Sequence, residues 1–297
     1  MSSETVSPRD PDALVQTDWL AAHLDDANLR IYDCTTYLKP AEPGSELPYN
    51  VVSGRADYDK GHIPGAAFLD LQGELSDNST KLRFTMPAPD DFAAAIARHG
   101  VGADTRVVLY SAGAIMWATR VWWMLRSIGF DNAAILDGGW DKWQQEDRPV
   151  STEAANYPPG ALSAKPRDGL FVGKDTVLAA IGDANVRTVN ALSDAYHRGE
   201  GESRYGRPGR VPGSVNVFSA TLIDPETKAF VPLAEAQARF EAASVEKEKR
   251  IINYCGGGIS ATVGAFLQYQ LGYENITLYD GSMGEWAKDE SLPIETG

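Results

Sequence analysis

Cysteine is nearly missing from this chain. Its 297 residues include only Cys34 and Cys255, 221 positions apart. That excludes a disulfide-dense scaffold and a multi-cysteine zinc site. It also suits a reducing compartment, so a cytoplasmic location is expected. Positive charge is in deficit: 27 Lys and Arg face 41 Asp and Glu, a formal net charge of −14. Nucleic acid and anionic membrane are thereby excluded as main partners, because phosphate recognition needs a basic footprint; a small local basic pocket remains open. Long apolar runs are lacking too. The longest, residues 107–125, is broken by Ser111, Gly113 and Arg120 and is no membrane span. Residues 1–11 show neither a basic nor an apolar segment of the kind a secretory signal needs. What remains is ordinary globular composition, 43% hydrophobic and 23% charged, in a length that suggests two domains.

The chain is written twice. RVVLYSAGAIMWATRVWWMLRSIGFDNAAILDGGWDKW from Arg106 matches RIINYCGGGISATVGAFLQYQLGYENITLYDGSMGEW from Arg250, at an offset of 144 that becomes 143. GHIPGAAFLDL from Gly61 matches GRVPGSVNVFS from Gly209, and LRIYDC from Leu29 echoes VRTVNA from Val186. Three matched blocks in one order imply two copies of one domain. Residues 144–168 hold four prolines and no sustained periodicity, which marks a linker. The expected division is 1–150, a linker over 151–168, and 169–297. In each copy a β-rich run (107–110; 251–254) leads through a glycine-containing turn into a helical stretch (115–127; 260–271). Gly129 and Gly272 follow, where a helix C′ glycine belongs. A second β-rich run (133–136; 276–279) then ends at Asp-Gly. Strand, helix, strand with short connections predicts an α/β fold with a parallel sheet flanked by helices in each half. Ligands bind such sheets at the carboxyl ends of the strands, which places Ser111 and Cys255 at the mouths of the two possible sites.

Cys255-Gly256-Gly257-Gly258-Ile259-Ser260 joins strand to helix. Successive glycines let consecutive N–H groups turn inward as an anion-binding nest and let a substrate approach the backbone. Lowering a thiol pKa by about two units takes about 2.7 kcal/mol, and the helix dipole supplies only about 0.3–1. Several N–H bonds to sulfur would close that gap. The competing reading is a buried small hydrophobe beside a tight turn; three successive glycines argue against it, since each costs backbone order and a plain turn needs one or two. Three other chemistries fit this loop less well. Gly256-x-Gly258-x-x-Ala261 with Asp280 further on fits a dinucleotide fingerprint, but little chain follows Asp280. A cysteine phosphatase would place Arg where Ala261 stands. No phosphate-binding P-loop pattern occurs.

Taken together, these blocks resemble the rhodanese superfamily, in particular its tandem-domain sulfurtransferases. Residues 61–66 (GHIPGA) and 209–214 (GRVPGS) resemble one family block, and Asp137-Gly138-Gly139 and Asp280-Gly281-Ser282 another. The resemblance implies two rhodanese-like domains and a catalytic Cys255. It makes the first copy inactive, with Ser111 at the nucleophile position. It implies a small-molecule sulfur donor and a thiol or cyanide acceptor, transfer through a Cys255 persulfide, and no metal or organic cofactor. Residues 256–260 would bind the donor. Mercaptopyruvate-type loops resemble C-G-[ST]-G-V-T, so this loop is nearer to them than to the basic thiosulfate type, although Gly257 replaces the hydroxyl residue. The family's second-domain arginines are replaced: those places read Asn190, Leu192, Tyr196 and His197. A first-domain Asp and His pair aligns loosely with Gln72 and Phe84. The donor expected is therefore 3-mercaptopyruvate ahead of thiosulfate. A cation for it could come from Arg204 or Arg207, which otherwise form a solvated loop. Cys34 is expected as a buried thiol and the tryptophans as core or domain-interface packing. A sulfur carrier or redox sensor loaded by a partner protein is the reading from another class.

Overall fold

The structure is a computed structural model that describes residues 6–42, 45, 47–201 and 203–297. In the first half, the strands are β1 (Leu14–Val15), β2 (Leu29–Asp33), β3 (Thr36–Lys39), β4 (Asn50–Ser53), β5 (Ala66–Phe68), β6 (Arg106–Tyr110) and β7 (Ala133–Leu136). The helices there are α1 (Thr17–Ala22), α2 (Arg55–Tyr58), α3 (Pro89–Arg98), α4 (Met116–Ser127) and α5 (Gly139–Gln145). The second half has β8 (Phe171–Val172), β9 (Val186–Asn190), β10 (Val215–Asn216), β11 (Arg250–Tyr254) and β12 (Ile276–Tyr279). Its helices are α6 (Lys174–Ala180), α7 (Asp194–Arg198), α8 (Leu233–Ala242), α9 (Ala261–Gln270) and α10 (Ser282–Trp286).

The two halves repeat one topology. The first sheet runs β1-β7-β6-β2-β5 and the second β8-β12-β11-β9-β10, every pair parallel; β3 and β4 form a separate antiparallel ribbon. The central registers correspond as well, with Leu29 opposite Arg106 and Val186 opposite Arg250. Strands β6 and β11 are buried from their second residue onward, as expected of parallel strands covered on both faces. Helices α4 and α9 start one residue later than the periodicity places them, and Gly129 and Gly272 end them at φ of 82° and 85°.

Helix α9 has no polar stripe, and all ten of its residues are buried. Its own sheet covers one side, and α4 and α8 cover the others. The threonines Thr119 and Thr262, 143 positions apart and so repeat equivalents, meet at the α4–α9 crossing with hydroxyls 2.6 Å apart. Trp122 lies edge-on to Phe266 (4.9 Å between centroids), and the Trp123 indole donates to the Leu170 carbonyl at 3.2 Å. These tryptophans therefore pack the domain interface. The proline-rich segment is strapped to the first domain. Gly160, Lys165 and Arg167 donate their amides to the carbonyls of Ala97, Ile128 and Ser127, each at 2.8 Å. Among the described residues, no helix is long and apolar enough to cross a membrane.

Candidate active site

Cys255 follows the last residue of β11, the central strand of the second sheet, and is 2% exposed. Ser282, at the start of α10, ties its loop from below. The Ser282 hydroxyl accepts the amides of Cys255 (3.1 Å) and Gly258 (3.0 Å) and donates to the Tyr279 carbonyl at 2.8 Å. Ser282 has a φ of 49°, a conformation costly for a residue with a Cβ. Its repeat equivalent, 143 positions earlier, is Gly139 at a φ of 53°. The second copy thus accepts backbone strain in order to place a hydroxyl. Two of the loop glycines are obligatory. A Cβ on Gly256 would lie 2.0 Å from the Tyr205 hydroxyl, and Gly258 has a φ of 72° with the Asp280 carbonyl 2.7 Å from any Cβ. Among the described residues, the amides of Gly256, Gly257, Ile259 and Ser260 find no partner within the protein. They line the turn from the thiol to the N-terminus of α9. Ile259 is nearly buried, and its carbonyl is taken by the Thr262 amide and hydroxyl.

The first copy fills its own nest. The Ala112 amide donates to the Thr35 hydroxyl at 2.9 Å, the Gly113 amide to the Asp141 carboxylate at 2.6 Å, and the Ala114 amide to the Ala112 carbonyl at 2.8 Å. The Ser111 hydroxyl turns away to the Ala114 carbonyl at 2.8 Å. The strand registers make Leu192 the counterpart of Thr35, and the 143-residue offset makes Gly284 the counterpart of Asp141. Both acceptors that close the first loop are therefore missing from the second. Ser111→Cys alone is expected to leave the first copy silent: in a Cys255→Ser background, intact mass after donor treatment shows no added sulfur. An adduct on the new thiol would show that the missing sulfur atom alone, and not the closed nest, silences this copy.

The first domain also reaches into the second site. Arg120, on α4 and fully buried, donates from Nη1 to the Gly258 carbonyl (3.1 Å) and Asp280 Oδ1 (2.7 Å), and from Nη2 to the Phe84 carbonyl (2.5 Å). The Asp280 carboxylate also accepts the Met86 amide at 2.7 Å. Asp137 accepts the Phe230 amide at 2.9 Å in the mirrored arrangement. Each Asp-Gly carboxylate therefore grips the other domain. Asp280 is engaged in this way and does not stand free as a ribose acceptor, which removes the dinucleotide reading. Gln72 Oε1 accepts the Phe84 amide at 3.1 Å, so those two residues do meet. Phe84 itself is buried against Trp117. The equivalent of Arg120 in the second copy is Val263, so this strut serves the Cys255 side alone. Neither its burial nor its target is legible from the α4 pattern.

A cleft opens at Gly256 and Gly257, walled by Tyr49, Arg83, Tyr205 and Lys288. Arg204 and Arg207 are not among its lining residues. The Arg207 guanidinium is engaged by the carbonyls of Trp286, Ala287 and Asp289, the last at 2.6 Å, and so staples the end of α10 to the loop between α7 and β10. Arg204 is exposed beside Tyr205. The expectation that Arg207 supplies the donor's cation is corrected accordingly, since backbone acceptors use it up, while Arg204 is exposed and outside the lining residues. His197 sits with Arg210 and Glu295 rather than at the cleft, and burial together with the Arg210 charge lowers its pKa from 6.5 to about 4. An unfolded chain binds that proton at the ordinary value, so stability is lost as pH falls from about 6.5 toward 4. His197→Asn should flatten this part of the acid-unfolding curve; an unchanged slope would assign the loss to other groups.

The family comparison agrees with this geometry. The Rhodanese-like domain profile matches residues 16–146 and again 175–289. The chain is 35% identical over 284 residues to the 3-mercaptopyruvate sulfurtransferase of Escherichia coli K12, covering 95% of this chain and 97% of that one. It is 30% identical over 288 residues to the human protein of the same name, at 94% and 93% coverage. It is also 30% identical over 299 residues to the sulfur carrier protein TtuD of Thermus thermophilus, at 97% and 98%. The crystal structure of SseA from Escherichia coli superposes with a TM-score of 0.76 at 33% identity, over 91% of this chain and 98% of that one. The chain belongs to the rhodanese family, as a tandem of two rhodanese-like domains. Within that family it is a sulfurtransferase, an enzyme that moves sulfur between small-molecule donors and acceptors.

Proposed function

We propose that Cys255 takes sulfane sulfur from 3-mercaptopyruvate and passes it to a thiol or cyanide. The Cys255 thiolate attacks the donor's sulfur, and the donor's carbon–sulfur bond breaks. The electron pair leaves as the enolate of pyruvate, which then takes up a proton. The sulfur stays as a Cys255 persulfide, its charge held by the amides of Gly256, Gly257, Ile259 and Ser260. An acceptor thiolate attacks the outer sulfur, forms its own persulfide and returns Cys255 as a thiolate.

The observation that carries this reading is the contrast between the loops: four amides beside the thiol in the second copy without a partner among the described residues, and amides filled by Thr35 and Asp141 in the first. The loop itself lacks the basic residues of the thiosulfate type and is nearer to the C-G-[ST]-G-V-T pattern, which favours 3-mercaptopyruvate. Intact-mass measurement after exposure to each donor tests both points. The expected result is one added sulfur atom from 3-mercaptopyruvate and a weaker response to thiosulfate. The reverse preference overturns the donor assignment and leaves the role of Cys255 standing. Steady turnover of the small donor by the purified chain alone separates an enzyme from a carrier that needs a partner to load it.

A further inference from the structure

In the catalytic domain, Lys288 is the one described cation that lines the cleft. The Cys255 loop is neutral, and Arg204 and Arg207 do not line the cleft. The cleft wall opposite Gly256 and Gly257 is built by the first domain's residues 47–49 and 81–83. Lys81 and Arg83 line it from that side, and Lys288, just beyond α10, from the other. Among the described lining residues there is no carboxylate. Nor, among the described residues, does any of these three cations have an ion-pair partner. In a chain of net charge −14, three cations converging on one cleft with no acid among its described lining residues is a local reversal of sign.

From this placement we infer that Arg83 and Lys81 of the catalytically silent domain hold the carboxylate of the sulfur donor while its sulfur meets Cys255. The inference rests on the reading of Cys255 as the sulfur acceptor. Arg83 fits the task because its planar guanidinium matches a carboxylate with two parallel bonds, whereas Lys81 contributes a point charge. Tyr49 links the two ends of the site. A Cβ on Gly257 would lie 3.0 Å from its hydroxyl, and both Arg83 and Cys255 act electrostatically on that hydroxyl. Burial raises the pKa of Tyr49, so the group stays protonated and donates to whatever anion enters. The silent domain is thus half of the active site, and binding depends on the domain interface staying closed.

The test compares two alkylating agents of the same reactivity type, anionic iodoacetate and neutral iodoacetamide, on Cys255 in the full chain. Arg83→Ala and Lys81→Ala are surface changes that leave the thiol untouched. Each should lower the iodoacetate-to-iodoacetamide rate ratio several-fold, with Arg83→Lys retaining most of it. With 3-mercaptopyruvate as donor, Arg83→Ala should lower kcat/KM about ten- to a hundredfold, mainly through KM, the size expected for one charge-assisted contact that orients a carboxylate. Sulfur uptake by the parent chain together with an unchanged alkylation ratio in both alanine variants overturns the role of the silent domain and leaves Cys255 in place. No sulfur uptake by the parent chain overturns the reading of Cys255 itself.

Discussion

Cys255→Ser should abolish both the sulfur adduct and turnover, and Cys34→Ala should leave them nearly intact. The asymmetry has a physical basis. Cys34 is fully buried, and burial together with the neighbouring Asp33 charge pushes its thiol pKa well up, so it stays protonated and cannot reach a donor. Cys255 lies at the carboxyl end of a central strand, at the head of the loop that leads to the N-terminus of α9. A serine hydroxyl in the same place keeps the loop's bonds to Ser282, because those run through backbone amides. The variant is therefore expected to fold with unchanged thermal stability. Intact-mass spectrometry of parent, Cys255→Ser and Cys34→Ala after 3-mercaptopyruvate, with steady-state turnover alongside, decides the point. Sulfur uptake by the Cys255 variant would falsify the assignment.

Arg120→Met should destabilise the protein by about 3–5 kcal/mol, the usual cost of breaking a buried ion pair on one side. Against a total of about 5–15 kcal/mol for a folded protein, that is a large share, and it would lower the melting temperature by on the order of ten degrees. The loss has three parts. Asp280 keeps its charge, is 16% exposed, and loses its 2.7 Å partner. The carbonyls of Gly258 and Phe84 lose their donor. The Cys255 loop then loses its tie to the first domain, so kcat should fall even at temperatures where the variant is folded. Adding Asp280→Asn should recover part of the stability, because the stranded charge goes, but not the activity, because the Gly258 carbonyl remains unheld. Equal melting temperatures of parent and Arg120→Met would show that the strut is idle.

The residues that define the chemistry were legible because they are local. A β-rich run, a cysteine, three glycines and a helix occupy one stretch of chain, and their order alone places a thiol at a strand end. The repeat was legible because both copies keep the same turn residues in the same order. Those turns need particular backbone conformations, such as the positive φ of Gly129 and Gly272 that ends α4 and α9. Locally coded features of this kind decided the class of fold, the two-domain plan and the candidate nucleophile.

The arginines show where local reasoning stops. Arg204 and Arg207 cluster with Arg210 just before the second copy's Val-Pro-Gly, and sequence proximity suggested them. The structure spends Arg207 on backbone carbonyls around Ala287 and does not place Arg204 among the cleft's lining residues. Arg120, which holds the Gly258 carbonyl from 138 positions away, sits in a tryptophan-rich helix that reads as plain core. The sequence by itself determined the elements, their repetition and the reactive loop, because hydrophobic period, turn residues and glycine runs act over a few residues. Only the tertiary structure decided which side chains complete the site. The packing of α4 against α9 near the two threonines fixes what faces Cys255, and it brings Tyr49, Arg83, Arg120 and the Met86 amide across the domain boundary. No short-range pattern records that contact, since its energy comes from two apolar surfaces meeting over a distance of more than a hundred residues in the chain.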